Sequence, residues 1–169
     1  MTRLHLRWGP ILRAGAIAGL VEVSAGVVMY LADVYFAPWS GPASLLVLAV
    51  CIAVAQRWYA AKTAAEPMGY VAALAVGVAV AAMTAIIYVA YNLVSISFVY
   101  PHFIEQMVTA RFAHLHSPSM NQEQANALLG RLRTETTLGL IATNNLRFLS
   151  VMGTVIAAVL AIFTRRRNS

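Results

Sequence analysis

Read for polarity alone, the chain consists of four long apolar runs, near 11–33, 42–60, 69–96 and 138–164, with one extended polar interruption at 97–137. A hydrocarbon layer is about 30 Å thick and takes roughly 20 apolar residues to cross as a helix, which each run comes close to supplying or exceeds. With no water in that layer every backbone N–H and C=O must bond internally, so only helices and closed barrels cross it. Barrel strands alternate apolar and polar residues over segments of roughly ten. These runs are longer and continuously apolar, and the pattern predicts four transmembrane helices.

The polar interruption has its own periodicity. Pro101 suits a first helical position, and Phe103, Ile104, Met107, Val108, Phe112 and Leu115 then recur at helical spacing. Ser117-Pro118-Ser119 breaks the pattern, Ser119 with Gln122 fits a capping box, and Ala125, Leu128, Leu129 and Leu132 form a second apolar stripe. An amphipathic helical hairpin is therefore expected over about 101–135. It suits the membrane surface, a cover over the bundle's mouth, or a partner protein.

Composition agrees with the runs: 60% hydrophobic and 11% charged residues leave too few charges to solvate a globule. Charge placement adds a direction. Arg3, Arg7 and Arg13 precede the first span, Arg57 and Lys62 lie between the second and third, and Arg165, Arg166 and Arg167 follow the fourth. On the other side Arg111, Arg131, Arg133 and Arg147 are offset by Asp33, Glu105, Glu123 and Glu135. The positive-inside rule then predicts cytoplasmic N- and C-termini and an extracytoplasmic hairpin. A net charge of +6 raises the question of nucleic acid, but basic residues pinned at span ends are explained by orientation and anionic headgroups. The arginines at 3–13 resemble the start of a signal peptide, yet the apolar run outlasts an h-region and lacks a small-residue cleavage site, so it is read as a retained span. The single cysteine, Cys51, falls within the second run and reads as a small packing residue.

The aromatic residues fit the same frame. Trp8, Tyr35, Phe36, Trp39, Trp58, Tyr59 and Tyr100 sit at span ends as interfacial anchors, and the turn at 36–42, with two prolines and a glycine, predicts an antiparallel hairpin of spans one and two. The expected fold class is all-α: an integral-membrane four-helix bundle with an extracytoplasmic amphipathic helical hairpin between spans 3 and 4, all of 1–169 forming one membrane domain.

Inside the spans two kinds of residue stand out. Small residues recur every third or fourth position, as Gly15, Gly19 and Gly26 in the first span, Ala73, Gly77, Ala81 and Ala85 in the third, and Gly153, Ala157 and Ala161 in the fourth. Such faces let helix backbones approach closely, within the bundle or in a dimer. The second kind is polar. Glu22 lies midway along the first span on the glycine face, where a carboxylate costs a few kcal/mol unless neutralised or paired. Tyr88, Asn92, Asn144 and Arg147 are its candidate partners, with Arg147 equally able to reach the headgroups. This set is the candidate intramembrane polar site. It reads either as a structural hydrogen-bonding residue or as a proton- or cation-handling carboxylate.

Catalytic and metal chemistry find little support. His102, His114 and His116 have no acid or cysteine at a useful helical offset to complete a metal site. Ser24, Ser95, Ser97 and Ser150 lack an adjacent histidine or lysine to make a nucleophile. No cofactor, metal or catalytic residue is expected.

Certain stretches are familiar as a set: RAGAIAG at 13–19, QRWY at 56–59, GYV at 69–71, YNL at 91–93, VYPHFIEQM at 99–107, SMNQEQ at 119–124 and the closing RRR at 165–167. Together they resemble the bacterial family of small membrane proteins catalogued as domain of unknown function 4199, over nearly the whole chain. The aromatic-Pro-x-Phe-Ile-Glu segment is the most specific part. The resemblance implies a bacterial inner-membrane protein with four spans, and carries no catalytic residue with it. The leading functional expectation is a non-enzymatic interaction protein, scaffold or complex subunit in the bilayer, self-associating or meeting an envelope protein through the outer hairpin. The alternative is a transporter or an ion- or proton-conducting subunit centred on Glu22. An enzyme acting on lipid or envelope precursors would need a polar cluster that the sequence does not supply.

Overall fold

The computed structural model describes residues 6–62, 68–100 and 102–164. Over these residues the protein is all-helical: α1 (Trp8–Leu31), α2 (Ser40–Lys62), α3 (Tyr70–Phe98), α4 (Phe103–Leu115), α5 (Gln122–Glu135) and α6 (Leu138–Thr164). The helices α1, α2, α3 and α6 are long and apolar enough to cross a membrane. Only 22% to 39% of each one's most apolar window is buried. Residues such as Leu20, Leu46, Val71 and Val151 therefore face outward, more than 60% exposed, and hydrocarbon is the surrounding that suits them.

The chain divides into two compact units, one of 1–88 with 146–169 and one of 89–145. In the first, α1 and α2 form an antiparallel hairpin. The backbone N–H of Arg7 donates to Tyr59 Oη at 3.0 Å at one end, and Ser44 reaches Glu22 further along. The turn between them begins with Asp33, the only described non-glycine residue at positive φ (57°). Its N–H donates to Tyr30 O at 3.0 Å and that of Val34 to Met29 O at 2.9 Å, the pair of bonds of a Schellman stop. Aspartate tolerates the left-handed region better than most residues, so it takes the place usually held by glycine.

The part of α3 in this unit packs between α1 and α6. A Cβ on Gly15 would lie 2.7 Å from Met83 Cβ and one on Gly19 2.8 Å from Ile87 Cβ, so α1 and α3 run parallel with backbones close. A Cβ on Gly77 would lie 2.6 Å from Ala157 Cβ, and one on Gly153 2.5 Å from Ala81 Cβ, so α3 and α6 run antiparallel. Ala73, Ala81, Ala85 and Ala157 are almost fully buried in the same core, with Leu48 and Ile52 from α2. The small-residue faces are used within the chain.

In the second unit α4 and α5 pack together, and Phe103, Val108 and Leu132 from their apolar stripes are buried. Arg111 Nη1 donates to Thr136 Oγ1 at 3.1 Å beyond the end of α5. The cap of α5 differs from the expected one. Asn121, not Ser119, is the N-cap: its Oδ1 accepts from Gln124 N at 2.8 Å, while Gln124 Oε1 accepts from Asn121 N at 3.1 Å. Ser119 instead hydrogen-bonds Ser117 in the connection, 2.9 Å between hydroxyls. Pro101 and the arginines at 3 and 165–167 lie outside the described residues.

Two substitutions separate close packing from helix propensity. Gly77→Ala should lower stability by about 1–3 kcal/mol because its methyl meets Ala157 and Gln56. Gly130→Ala, in α5 with open space around it, should raise stability by roughly 0.5–1 kcal/mol. Thermal unfolding of the two variants in detergent measures both. Within α5, Arg131 Nε donates to Glu135 Oε1 at 2.6 Å and holds that carboxyl below its ordinary range. The pair's small, solvent-screened contribution is complete at neutral pH and is lost as pH falls through Glu135's lowered range. Glu135→Gln should remove that acid-side step from the pH dependence of thermal unfolding.

Candidate functional site

Glu22 is carried to the interior by the face of α1 that also buries Ile11, Gly15, Ala18 and Gly26, residues spaced three and four apart and so aligned on one side of the helix. It lies roughly 21 Å along the axis from Trp8 and is 1% exposed. The Ser44 hydroxyl of α2 donates to its Oε1. Its Oε2 is buried without a hydrogen-bond partner, as is Thr84 Oγ1 on α3.

The other members of the expected polar set are arranged differently. Tyr88 is engaged with Tyr35, from the α1–α2 turn, at 3.1 Å between hydroxyls, and its ring also lies 3.6 Å from where a Cβ on Gly26 would be. Arg147 is exposed on α6, and no ion pair joins it to Glu22; among the described residues the ion pair found is Arg131–Glu135. Its position on the outward face of α6, with Glu22 on the inward face of α1, keeps the two side chains apart. Asn92 and Asn144 belong to the second unit. Asn92 is 7% exposed with Nδ2 unpartnered, whereas Asn144 is exposed. Glu22 thus finds a hydroxyl on α2 in place of the arginine.

A buried polar residue that the sequence reading passed over is Gln56. It is 0% exposed, and its Nε2 donates to Ala73 O at 3.0 Å and to Ala157 O at 3.3 Å, while its Oε1 accepts from Thr164 Oγ1 at 3.2 Å. One side chain of α2 therefore ties α3 and α6. The available signal was its register: Leu48, Ile52 and Gln56 recur every fourth residue, the inward spacing of this helix.

Among the described residues no three His, Cys, Asp or Glu side chains gather as a metal site. His102, His114 and His116 are exposed, and His116 stacks on Phe112 with centroids 5.0 Å apart.

The family model described as a protein of unknown function, DUF4199, matches residues 13–166. The chain belongs to the DUF4199 family. Comparison with curated proteins found no match, and neither did comparison with solved structures. The DUF4199 match takes in α2 to α6 whole and α1 from Arg13 onward, so membership concerns the whole architecture rather than one segment of it. It assigns no activity to Glu22, Gln56 or any other side chain.

Ser44→Ala should leave both Glu22 oxygens unpartnered and lower stability by about 0.6 kcal/mol, the average for single hydrogen bonds between membrane helices, and by no more than about 1.7 kcal/mol. The double variant Ser44→Ala with Glu22→Leu should recover much of that loss, because both buried polar partners are then gone. Thermal unfolding of the single and double variants in one detergent compares them.

Proposed function

We propose that this DUF4199 protein is a non-enzymatic scaffold or complex subunit of the bacterial inner membrane, acting by association with a second copy or with an envelope protein. The observation that carries this reading is the enclosure of Glu22. A conducting carboxylate needs a hydrated route, whereas Glu22 is 1% exposed and spends one oxygen on Ser44, a use that fastens α1 to α2. The intramembrane polar groups Gln56 and Tyr88 are likewise engaged between elements of the bundle. On this reading the bundle interior is structural and the protein acts through its surface.

On this reading both termini are cytoplasmic and the α4–α5 hairpin is extracytoplasmic. Support comes from the gathering of Arg7, Arg13, Arg57 and Lys62 at one end of the α1–α2 pair, where Arg7 meets Tyr59. With Phe103, Val108 and Leu132 already buried, the hairpin meets its partner through exposed polar residues such as Thr109, His114 and Arg133.

A second reading, proton or cation movement at Glu22, is favoured by the two buried oxygens without partners, Glu22 Oε2 and Thr84 Oγ1. Two experiments separate the readings. A photo-crosslinking residue at Thr109 or Arg133, activated in native membranes, should capture a discrete homo-oligomer or partner; a monomer both there and in mild detergent would sink the association reading. Glu22→Gln, which keeps an acceptor for Ser44, should leave proton flux in reconstituted vesicles unchanged. Flux that is present in the parent chain and abolished in the variant would establish the conducting reading instead.

A further inference from the structure

The outward side of the α1–α2 pair carries a groove of about 500 Å³, lined by Ala14, Ile17 and Val21 of α1 and by Val50, Val54 and Trp58 of α2 among other apolar residues. Its walls run along the helices for roughly 10–12 Å. The cleft is thus elongated, and Ile17 and Val54 stand 63% and 60% exposed along it. Its lining is almost wholly apolar, which suits a hydrocarbon chain and offers a polar solute nothing to bond.

The Trp58 end is different. Lys62 Nζ sits 4.4 Å from the centroid of the Trp58 ring, which holds the ammonium beside the mouth of the groove. Arg57 and Arg13, the neighbours in sequence of the lining residues Trp58 and Ala14, are exposed. Arg7 is drawn to the same end by its backbone bond to Tyr59. Neither 6–14 nor 56–62 contains an acid. An apolar cleft that opens beneath a cluster of cations, in a helix pair long enough to span the bilayer, has the two chemistries of one molecule.

The geometry points to a site for an anionic phospholipid, one acyl chain lying in the α1–α2 groove and the phosphate headgroup held by Lys62, Arg57 and Arg7. Basic positions between membrane helices attract such headgroups, at about 1 kcal/mol per cation near the surface, which corresponds to roughly fivefold in affinity for each. The groove contains neither Glu22 nor any part of the hairpin, so the site stands independently of the association reading and of which leaflet it faces.

The test uses the full chain in phosphatidylcholine nanodiscs. Trp8→Phe with Trp39→Phe leaves Trp58 as the single tryptophan, and its fluorescence is quenched by phosphatidylglycerol or phosphatidylcholine carrying bromine on the acyl chain, at equal mole fraction. Brominated phosphatidylglycerol should quench more strongly. Arg57→Ala and Lys62→Ala should each weaken that preference by roughly fivefold, and Ala14→Leu, which fills the half-buried upper part of the groove, should reduce quenching with the cations intact. Native mass spectrometry of the unsubstituted chain should retain phosphatidylglycerol over phosphatidylcholine, a readout that needs no tryptophan replacement. Equal quenching by the two lipids, or a preference untouched in the Arg57→Ala/Lys62→Ala double variant, would mean ordinary bilayer contact and overturn the site. Indifference of Trp58 to both lipids, as when a second copy covers the groove, overturns it as well.

Discussion

Between lipid tails an apolar side chain gains little by turning inward, because the surroundings are as apolar as the core; what binds one helix to another is then how closely their backbones approach and what bonds can form across the gap. The first unit meets this constraint around α3. Gly15 and Gly19 bring α1 against it, Gly77 and Gly153 bring α6 against it, and at each of these positions an added methyl would fall within 2.8 Å of a neighbouring Cβ. The residues that stay large on the inner faces, such as Ile11, Leu48, Ile52 and Val80, fill the space that those approaches leave.

Polar groups are distributed over the same interfaces. Ser44 and Glu22 join α2 to α1, Gln56 joins α2 to α3 and α6, and Tyr35 joins the first turn to α3 through Tyr88. In water each bond would compete with solvent; in hydrocarbon the alternative is an unsatisfied group, although even there single bonds between helices average only about 0.6 kcal/mol. Their value is directional. Close-packed smooth helices can slide or rotate past each other, and a carboxylate that must meet one serine, or an amide that must meet two named carbonyls, fixes the register.

The spans were legible because length and continuous apolarity report on the solvent, and Glu22 was legible because one charge in such a run is costly. The partner of Glu22 was not. Ser44 follows Pro42 closely at the start of α2, where a serine has every local reason to be there for the turn, and only the register of the α1–α2 pair brings it to the carboxylate. Gln56 stands in sequence beside Arg57 and Trp58 at the end of the second run, so its inward spacing from Leu48 and Ile52 is easily missed. The cap of α5 was displaced for a related reason. Ser119 with Gln122 and Asn121 with Gln124 both satisfy the same pattern, and the choice depends on where the chain leaves the Ser117–Ser119 turn. The stop of α1 used Asp33 where glycine is the usual mark, so it left no clear trace. Register, chain reversal and depth are non-local properties, and a single sequence states them only indirectly.

The order of synthesis gives the Gln56 contacts one more meaning. Its amide nitrogen meets Ala73 only seventeen residues along the chain, but its remaining bonds lead to Ala157 and Thr164, 101 and 108 residues away. The helices α1, α2 and α3 therefore leave the ribosome with a half-satisfied amide and with Gly77 unopposed by Ala157. Because α6 is made after α1, α2 and α3 and supplies those remaining bonds, a nascent chain halted before it would present an unfinished polar seam to the bilayer.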